Sequence, residues 1–439
     1  MIKTKLLSMK VYKLDLFMLF MCFSILTFSQ EKKHYSLDEL IRSAYVNYPY
    51  ARQLHLNRLQ VKESIKSVNS IWLPQVTISG KSSYQSEVSA VNIPQSIAQE
   101  IGLNVGKGEK LQYQGEVGVS QLIYDGGISK VKKKLAGING NIQESQIKSL
   151  MLQIEENIDN LFESILINRE QIKIINFQQK DLELRKKDLS YAIQNGISLK
   201  TDLQEIDAGL IQLEQQEISL RMQLCQDFVQ LSSFTQQQID TTVVFDFPQF
   251  TCIMNENYIN RPDFQIFERQ IESSKYELKK INQALVPQMS LFANGYYGRP
   301  GINVMDYSTH YSGIIGVSLK WNVSALYNNV HQKKLVNINR YLIKSNQLIY
   351  EIDLSNQIDK LKNNLIKNKD LMNSDDNIVE IRSSVKNVAA TQLKNGSITL
   401  TDYLIKLNDV SKAMINRSIH KIEFLMDNAK MRTLLNENN

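Results

Sequence analysis

The sequence has 439 residues, 43 % hydrophobic and 22 % charged, with a formal charge of +6. That balance suits an ordered protein of one large or two to three modest domains, and the mild charge forms no basic block of the kind that marks a nucleic-acid partner. With 7 Pro and 18 Gly, the chain is poor in breakers and favours long uninterrupted elements.

Residues 1–29 read as a secretory signal peptide. Lys3, Lys5, Lys10 and Lys13 precede an apolar run from Leu16 to Phe28, too short to span a bilayer comfortably, and Thr27 and Ser29 are small residues placed for cleavage before Gln30. A retained anchor is the other reading. Cys22 lacks the small residues that precede a lipid-modified cysteine. The mature chain keeps Cys225 and Cys252, which either pair or stay as free buried thiols. No later run of 18 apolar residues predicts a transmembrane helix.

Residues 36–72 predict one helix, opened by Ser36 with Glu39 three residues on and closed at Leu73-Pro74. A strand follows. Val76, Ile78, Gly80, Ser82 and Tyr84 share one face; Gln75, Thr77, Ser79, Lys81 and Ser83 share the other. Residues 88–110 hold Pro94 and several Gly and read as a loop. A second strand puts Leu111, Tyr113, Gly115, Val117, Val119, Gln121 and Ile123 opposite Gln112, Gln114, Glu116, Gly118 and Ser120. It closes at Tyr124-Asp125-Gly126-Gly127.

From 128 to 193 the pattern is helical, with its clearest stripe at Ile147, Leu150, Met151, Ile154, Ile158, Leu161, Phe162 and Ile165. About 65 helical residues make a rod of roughly 100 Å. After a tight turn, Leu203, Ile206, Leu210 and Leu213 begin a return helix to about 234, and 236–257 reads as an irregular linker with Pro248. The plan then repeats. Arg261-Pro262 matches Tyr48-Pro49, and Val286-Pro287-Gln288 matches Leu73-Pro74-Gln75. Strands follow at 289–297 and 311–323, the latter with Tyr311, Gly313, Ile315, Val317, Leu319, Trp321 and Val323 on one face and Ser312, Gly316, Ser318, Lys320 and Asn322 on the other. A long helix spans about 325–393, and a return helix runs from 401 to about 435. This internal duplication divides the chain into a first repeat, 30–250, and a second, 251–439.

One phrase occurs in both repeats. Asn195-Gly196 with Thr201-Asp202, and Asn395-Gly396 with Thr401-Asp402, stand 200 positions apart residue for residue. Gly just past a helix end and Thr-Asp before the next apolar stripe predict helical-hairpin tips near 194–201 and 394–401, with φ > 0 at both glycines. Thr201 and Gln204 have capping-box spacing.

Each of the four strands has the length and alternation of a transmembrane β-strand. Trp72, Tyr84, Tyr113, Tyr124, Tyr297, Tyr311 and Trp321 sit at strand ends, as in an interfacial aromatic belt. A half-buried sheet packed on helices is the soluble alternative. Four strands cannot close a membrane barrel, and lipid forbids open edges, so copies of the chain must share one. Two copies would give an interior nearly filled by side chains; three give room for a lumen.

The sequence resembles the TolC-like outer-membrane efflux channels over its whole mature length. The resemblance rests on Leu73-Pro74-Gln75, on Gln121-Leu122-Ile123-Tyr124-Asp125-Gly126-Gly127, and above all on the duplicated tips. It implies an α+β membrane protein: a shared transmembrane β-barrel, four strands per chain, continuous with a long periplasmic coiled-coil barrel. It further implies a homotrimer whose tips meet a periplasmic membrane-fusion adaptor and an inner-membrane transporter of the RND or ABC type, in efflux or type I secretion. Ala192 and Gln392 stand where the family's tip motif often has Arg. Asp402 matches the first of two carboxylates that ring the periplasmic constriction in well-known members. Ile405 stands at the second, while Glu205 offers a carboxylate at the equivalent place in the first hairpin.

The five histidines have no metal-ligand spacing, and no phosphate loop, Cys-x-x-Cys pair or nucleophile elbow occurs, so neither an enzyme nor a cofactor is expected. Asp375-Asp376 reads as a solvated helix face or a kink. Asp402 also fits an early-turn helix position. Two function classes remain: a passive export duct, and a periplasmic coiled-coil scaffold or adhesin without a pore.

Overall fold

A computed structural model describes residues 33–88, 94, 97, 100, 109–196, 199–247, 260–299, 301–302 and 308–436. The expected signal peptide, most of the 88–110 loop and Cys252 lie outside them. In chain order the elements are β1 (His34–Tyr35), α1 (Leu37–Asn47), α2 (Pro49–Asn69), a 3-10 turn (Ser70–Trp72), β2 (Gln75–Tyr84), β3 (Leu111–Tyr124), α3 (Ile128–Gln194), α4 (Lys200–Thr235), β4 (Val244–Phe245), α5 (Pro262–Gln283), β5 (Gln288–Arg299), β6 (His310–Lys320), α6 (Ala325–Lys394) and α7 (Leu400–Leu435). No described helix is long and apolar enough to cross a membrane.

The single helix expected over 36–72 is two. The Ser36–Glu39 capping box forms, with both of its hydrogen bonds present. Tyr48 is extended at ψ 144, however, and Pro49 opens α2. The residue before proline is pushed out of the helical region, and here that steric effect outweighs the helical pattern on both sides. Arg261, at ψ 141 before Pro262, is extended in the same way where α5 opens. The linker expected to be irregular contains β4, which pairs in parallel with β1. The last strand ends at Lys320, so Trp321 and Val323 lie just beyond it.

The duplication extends to the backbone. Gln236 (φ 54) and Asn436 (φ 57), 200 positions apart, end α4 and α7 in the left-handed region; they are the non-glycine residues with positive φ among those described.

The chain divides into two compact units. The helical unit takes Met1–Tyr48, Gln153–Asn255 and Asp359–Asn439. One of its cores joins Leu37, Leu40 and Ile41 of α1 to Ile158, Phe162 and Ile165 of α3, Phe228 and Leu231 of α4, and Met426 of α7. Phe245 of β4 closes that core against Phe162, ring centroids 4.8 Å apart. A second core, nearer the tips, gathers Leu182, Ile206, Tyr403 and Leu407. Cys225 is a free thiol and is exposed, not buried. Asp375 is not on a solvated face: it is buried and lies 2.8 Å from His420 Nδ1.

The sheet-bearing unit takes Pro49–Leu152 and Glu256–Ile358. Its helices approach closely: Asn57 Nδ2 donates to the Gly140 carbonyl at 2.8 Å, and a Cβ on Gly140 would fall 2.1 Å from Val61. Asp125 accounts for the Tyr-Asp-Gly-Gly phrase. Its carboxylate accepts the N–H groups of Gly127 (2.8 Å) and Ser129 (2.7 Å), satisfying donors at the start of α3, while Gly126 and Gly127 supply the positive φ.

Candidate functional site

Two features carry the chemistry of the chain: the four-stranded sheet and the paired hairpin tips. The sheet runs β2-β3-β5-β6, antiparallel throughout, leaving β2 and β6 as edges of 10 and 11 residues. Residues opposite one another in an antiparallel pair share a face. Val76, Val119, Ala293 and Ile315 therefore form one apolar row, and Ile78, Val117, Gly295 and Gly313 the next. This is the alternation expected from sequence.

In the central strands β3 and β5 the exposure is inverted relative to a soluble sheet, and the edge strands are largely exposed on both faces. Ile78 is 81 % exposed, Ile315 83 % and Val317 61 %. On the other face Gln112, Gln114, Glu116 and Asn294 are partly covered, with Asn294 seated over Gly118 beside Thr77. A soluble domain would bury the branched row; contiguous bare apolar surface marks an interaction surface or a lipid face.

The strand-end aromatics fall into two groups. Trp72, Tyr124 and Trp321 lie at the end where β2 begins and β3 and β6 finish; Tyr84, Tyr113, Tyr297 and Tyr311 lie at the other. Their polar atoms are directed by the backbone or by neighbours. Trp321 Nε1 donates to the Leu285 carbonyl (2.9 Å), the Trp72 carbonyl accepts from Gln121 Nε2 (2.6 Å), and Tyr113 OH lies 2.8 Å from Thr309 Oγ1. Tyr297 and Tyr311 pair across strands with centroids 4.6 Å apart.

At the tips, Gly196 (φ 74) and Gly396 (φ 72) both take the left-handed conformation, and a Cβ on either would meet nothing within 4 Å. The glycines serve backbone conformation, not space. The two turns differ in how the next helix starts. In the second, Thr399 is the cap: its Oγ1 accepts from Asp402 N (3.2 Å) and donates to Asp402 Oδ2 (2.7 Å), which also accepts from Thr399 N (3.1 Å). These bonds hold the Asp402 carboxyl below its usual range, the hydroxyl contributing most. In the first turn Leu199 occupies the cap position with no side-chain bond, so the expected Thr201–Gln204 box does not form; Thr201 already lies inside α4.

The sequence-derived tip residues are brought together only in part. Asn195 and Asn395 close their turns through N–H bonds to the carbonyls of Tyr191 (3.2 Å) and Thr391 (3.1 Å). Asp202 lines a cleft of about 620 Å³ between the two tips, with Arg185, Asp188, Tyr191 and Lys394. Asp402 lines a separate groove of about 400 Å³ with Gln392, Ile398 and Lys406. Thr401 and Glu205 are exposed, and Glu205 shares no hydrogen bond with Asp402.

Sequence reading missed a buried link between the hairpins. Asp181 of α3 accepts from Tyr403 OH of α7 and pairs with Lys386 Nζ of α6 at 3.1 Å. Tyr403 is fully buried, with the Arg185 guanidinium 5.8 Å from its ring centre. Burial, then the Asp181 carboxylate, push its phenol up. The available signal was Tyr403 in the apolar series Leu400, Tyr403, Leu407. Among the described residues no group of three or more His, Cys, Asp or Glu is placed to hold a metal ion.

Long helical hairpins continuous with a small antiparallel sheet define the fold of outer-membrane channels, the fold that the sequence resemblance implied. VceC, an outer membrane protein of Vibrio cholerae, is 13 % identical with a TM-score of 0.69, over 91 % of this chain and 95 % of its own. The CmeC outer membrane channel of Campylobacter jejuni is 13 % identical with a TM-score of 0.70, over 91 % and 85 %. The MtrE outer membrane channel of Neisseria gonorrhoeae, in its open state, is 11 % identical with a TM-score of 0.66, over 91 % and 88 %. No protein-family model and no curated protein matches the sequence.

Proposed function

We propose that the chain is exported, inserts in the outer membrane as a homotrimer, and forms the exit duct of a tripartite efflux pump or type I secretion system. The carrying observation is the sheet with its apolar face bare and two unpaired edges. Three such sheets joined edge to edge make twelve strands, which removes every edge and leaves a lumen lined by the polar face. The aromatic spacing supports this. Tyr311 and Trp321 are ten positions apart, about 33 Å along a strand and about 25 Å once tilted, which matches the apolar band of such barrels.

In this reading the seven strand-end aromatics sit at the two membrane interfaces. Asn195, Gly196, Thr201, Asp202 and their counterparts Asn395, Gly396, Thr401, Asp402 form the tips that meet a periplasmic membrane-fusion adaptor. An RND or ABC transporter in the inner membrane supplies the cargo and the energy, and conduction through the chain is passive. Asp402 and Glu205 border the periplasmic entrance. The repeats 30–250 and 251–439 each contribute two strands and one hairpin.

Fractionation followed by planar-bilayer recording tests the proposal. It predicts an outer-membrane protein that forms discrete conducting pores. A soluble periplasmic protein, or an outer-membrane protein without conductance, would return the chain to the scaffold class.

A further inference from the structure

Four helices meet the sheet at the end that bears Trp72, Tyr124 and Trp321, and the charge there is one-sided. Residues 62–72, 125–134, 272–285 and 320–334 flank the four junctions. They hold twelve lysines against four acids, an excess larger than the +6 net charge of the whole chain. The four acids are already engaged. Asp125 caps α3, while Glu63, Glu272 and Glu277 pair with Lys66, Arg269 and Lys280 at 2.8, 3.1 and 2.9 Å. Lys62 of α2, Lys130 and Lys134 of α3, and Lys275 and Lys279 of α5 are exposed and form no ion pair among the described residues.

These five lysines share one flank of the helix layer. α2, α3 and α5 lie side by side in the order of their strands. Val61 faces Gly140 on one side of α3, and Gln265 and Asp263 meet Ser145 and Ser149 on the other. At 3.6 residues per turn, Lys130 and Lys134 fall between those two contact lines. Lys62 stands one turn from Arg58, which reaches Glu144 across the α2–α3 seam on the same flank. Tyr276 joins α3 to α5 there, with Lys134 Nζ 6.0 Å and Lys279 Nζ 4.8 Å from its ring centre, and Lys275 is one turn from Lys279.

Handedness identifies the flank. Gln85 N–H donates to the Lys110 carbonyl at 2.8 Å, so the polar-face residues of β2 turn their peptide groups toward β3. For L-residues this puts β3 to the left of β2 when the apolar face is viewed with the helices below. Right-handed helices put α2 to the right of α3 and α5 to its left when the layer is viewed, the same way up, from the side of Lys130 and Lys134. The lysine flank therefore lies below the apolar face and not below the polar one. Lys132 lies on the opposite flank of α3.

We infer that this flank is a docking surface for the anionic phospholipid headgroups of the leaflet on the helix side of the sheet. The surface depends on the proposed insertion of the sheet in the outer membrane. Lys130, Lys134 and Lys279 stand within about two turns of their helix ends, about 11 Å, and the lysine stem carries an ammonium on into the headgroup layer. Clustered lysines beside a bilayer attract acidic lipids, and the attraction fades within a Debye length of about 8 Å, so these three dominate while Lys62 and Lys275 assist.

The two tryptophans of the chain, Trp72 and Trp321, both stand at this end of the sheet and report on the lipids beside it. The full chain is reconstituted in vesicles of phosphatidylcholine and phosphatidylglycerol in equal amounts, with bromine on the acyl chains of one lipid or of the other. Tryptophan quenching then gives each lipid's share of the neighbouring sites. Phosphatidylglycerol should be enriched about fivefold, and much less in about 1 M salt. Lys130→Gln, Lys134→Gln and Lys279→Gln together should bring the ratio close to one, and Lys132→Gln should leave it unchanged. Should the triple variant fail to assemble, Lys62→Gln with Lys130→Gln keeps both Tyr276 contacts and should lower the ratio about twofold. Equal quenching by the two lipids in the wild type would overturn the inference. So would an unchanged ratio in assembled variants whose anion permeability is altered, which would place the lysines in the lumen. Quenching by neither brominated lipid would instead refute insertion itself, and the surface with it.

Discussion

Asn368 Nδ2 donates to Asp427 Oδ2 over 3.3 Å in the helical unit, and the same contact occurs 200 positions earlier, from Asn168 to Asp227 over 3.1 Å. The duplicated pair has diverged in its surroundings. Asp227 also accepts from Ser164 Oγ (2.7 Å) and Gln223 Nε2 (2.9 Å). Asp427 instead has Glu163 and Glu423 nearby, and burial followed by the Glu163 charge pushes its carboxyl up to about 6, from an ordinary 3.8.

The copies should respond oppositely to amidation. Asp227→Asn puts an NH2 group in place of one carboxylate oxygen, against Gln223 on one side or Ser164 and Asn168 on the other, and should cost about 1–3 kcal/mol. Asp427→Asn removes a group whose contribution is lost as pH rises through about 6, so it should raise the melting temperature above neutral pH and change little near pH 4. Thermal unfolding across that range checks both signs.

The facing of the sheet predicts a contrast between neighbouring positions. Arg at Val117 or Val317 would sit on the bare apolar face and should cost roughly 2–4 kcal/mol in the bilayer. Arg at Ser120 or Ser318, on the polar face, should be tolerated. Yields of assembled protein in the outer membrane measure the difference; equal tolerance at all four sites would count against the assignment of faces.

Both tip glycines hold φ near +70°, where a β-branched residue is strained. Gly196→Val and Gly396→Val should distort the tips while leaving membrane insertion intact, because the sheet belongs to the other unit. Loss of export with normal outer-membrane yield is the expected outcome. Undiminished export by the double variant would show that the tips are not docking elements.

Thr399 and Asp402 separate structure from permeation. Removing the Thr399 hydroxyl should destabilise the second hairpin by about 1 kcal/mol without altering conductance. Asp402→Ala removes both a capping partner and a charge. A change in cation selectivity with Asp402→Ala but not Thr399→Val assigns Asp402 to the entrance; equal stability losses with unchanged conductance make it a cap alone.

Much of this was legible in sequence because it follows from periodicity. Alternation over ten or more residues fixed the faces of β2, β3, β5 and β6, and the repeat of Gly196 at Gly396 placed both tips. What failed depended on single residues. Thr-Asp, shared by both tips, drew attention to Thr201 and away from Thr399, whose counterpart Leu199 cannot cap. Pro49 broke a helix that its flanking pattern supported. The Asp181–Lys386–Tyr403 link and the Glu155–Asp159–Thr433 cluster join segments more than 200 residues apart, and no local pattern reports which acids face one another across packed helices.

The proposed trimer requires β2 of one copy to pair with β6 of the next until three sheets close. Disulfide crosslinking in intact cells measures this directly. Cysteine substitutions along β2, such as Thr77→Cys and Ser79→Cys, are combined with Ser312→Cys or Ile314→Cys on β6 in a chain lacking its native cysteines. The expected result is crosslinks between copies at one consistent register, in a ladder that stops at the trimer. Monomers with no β2–β6 crosslink at any register, or a ladder that continues past three, would contradict it.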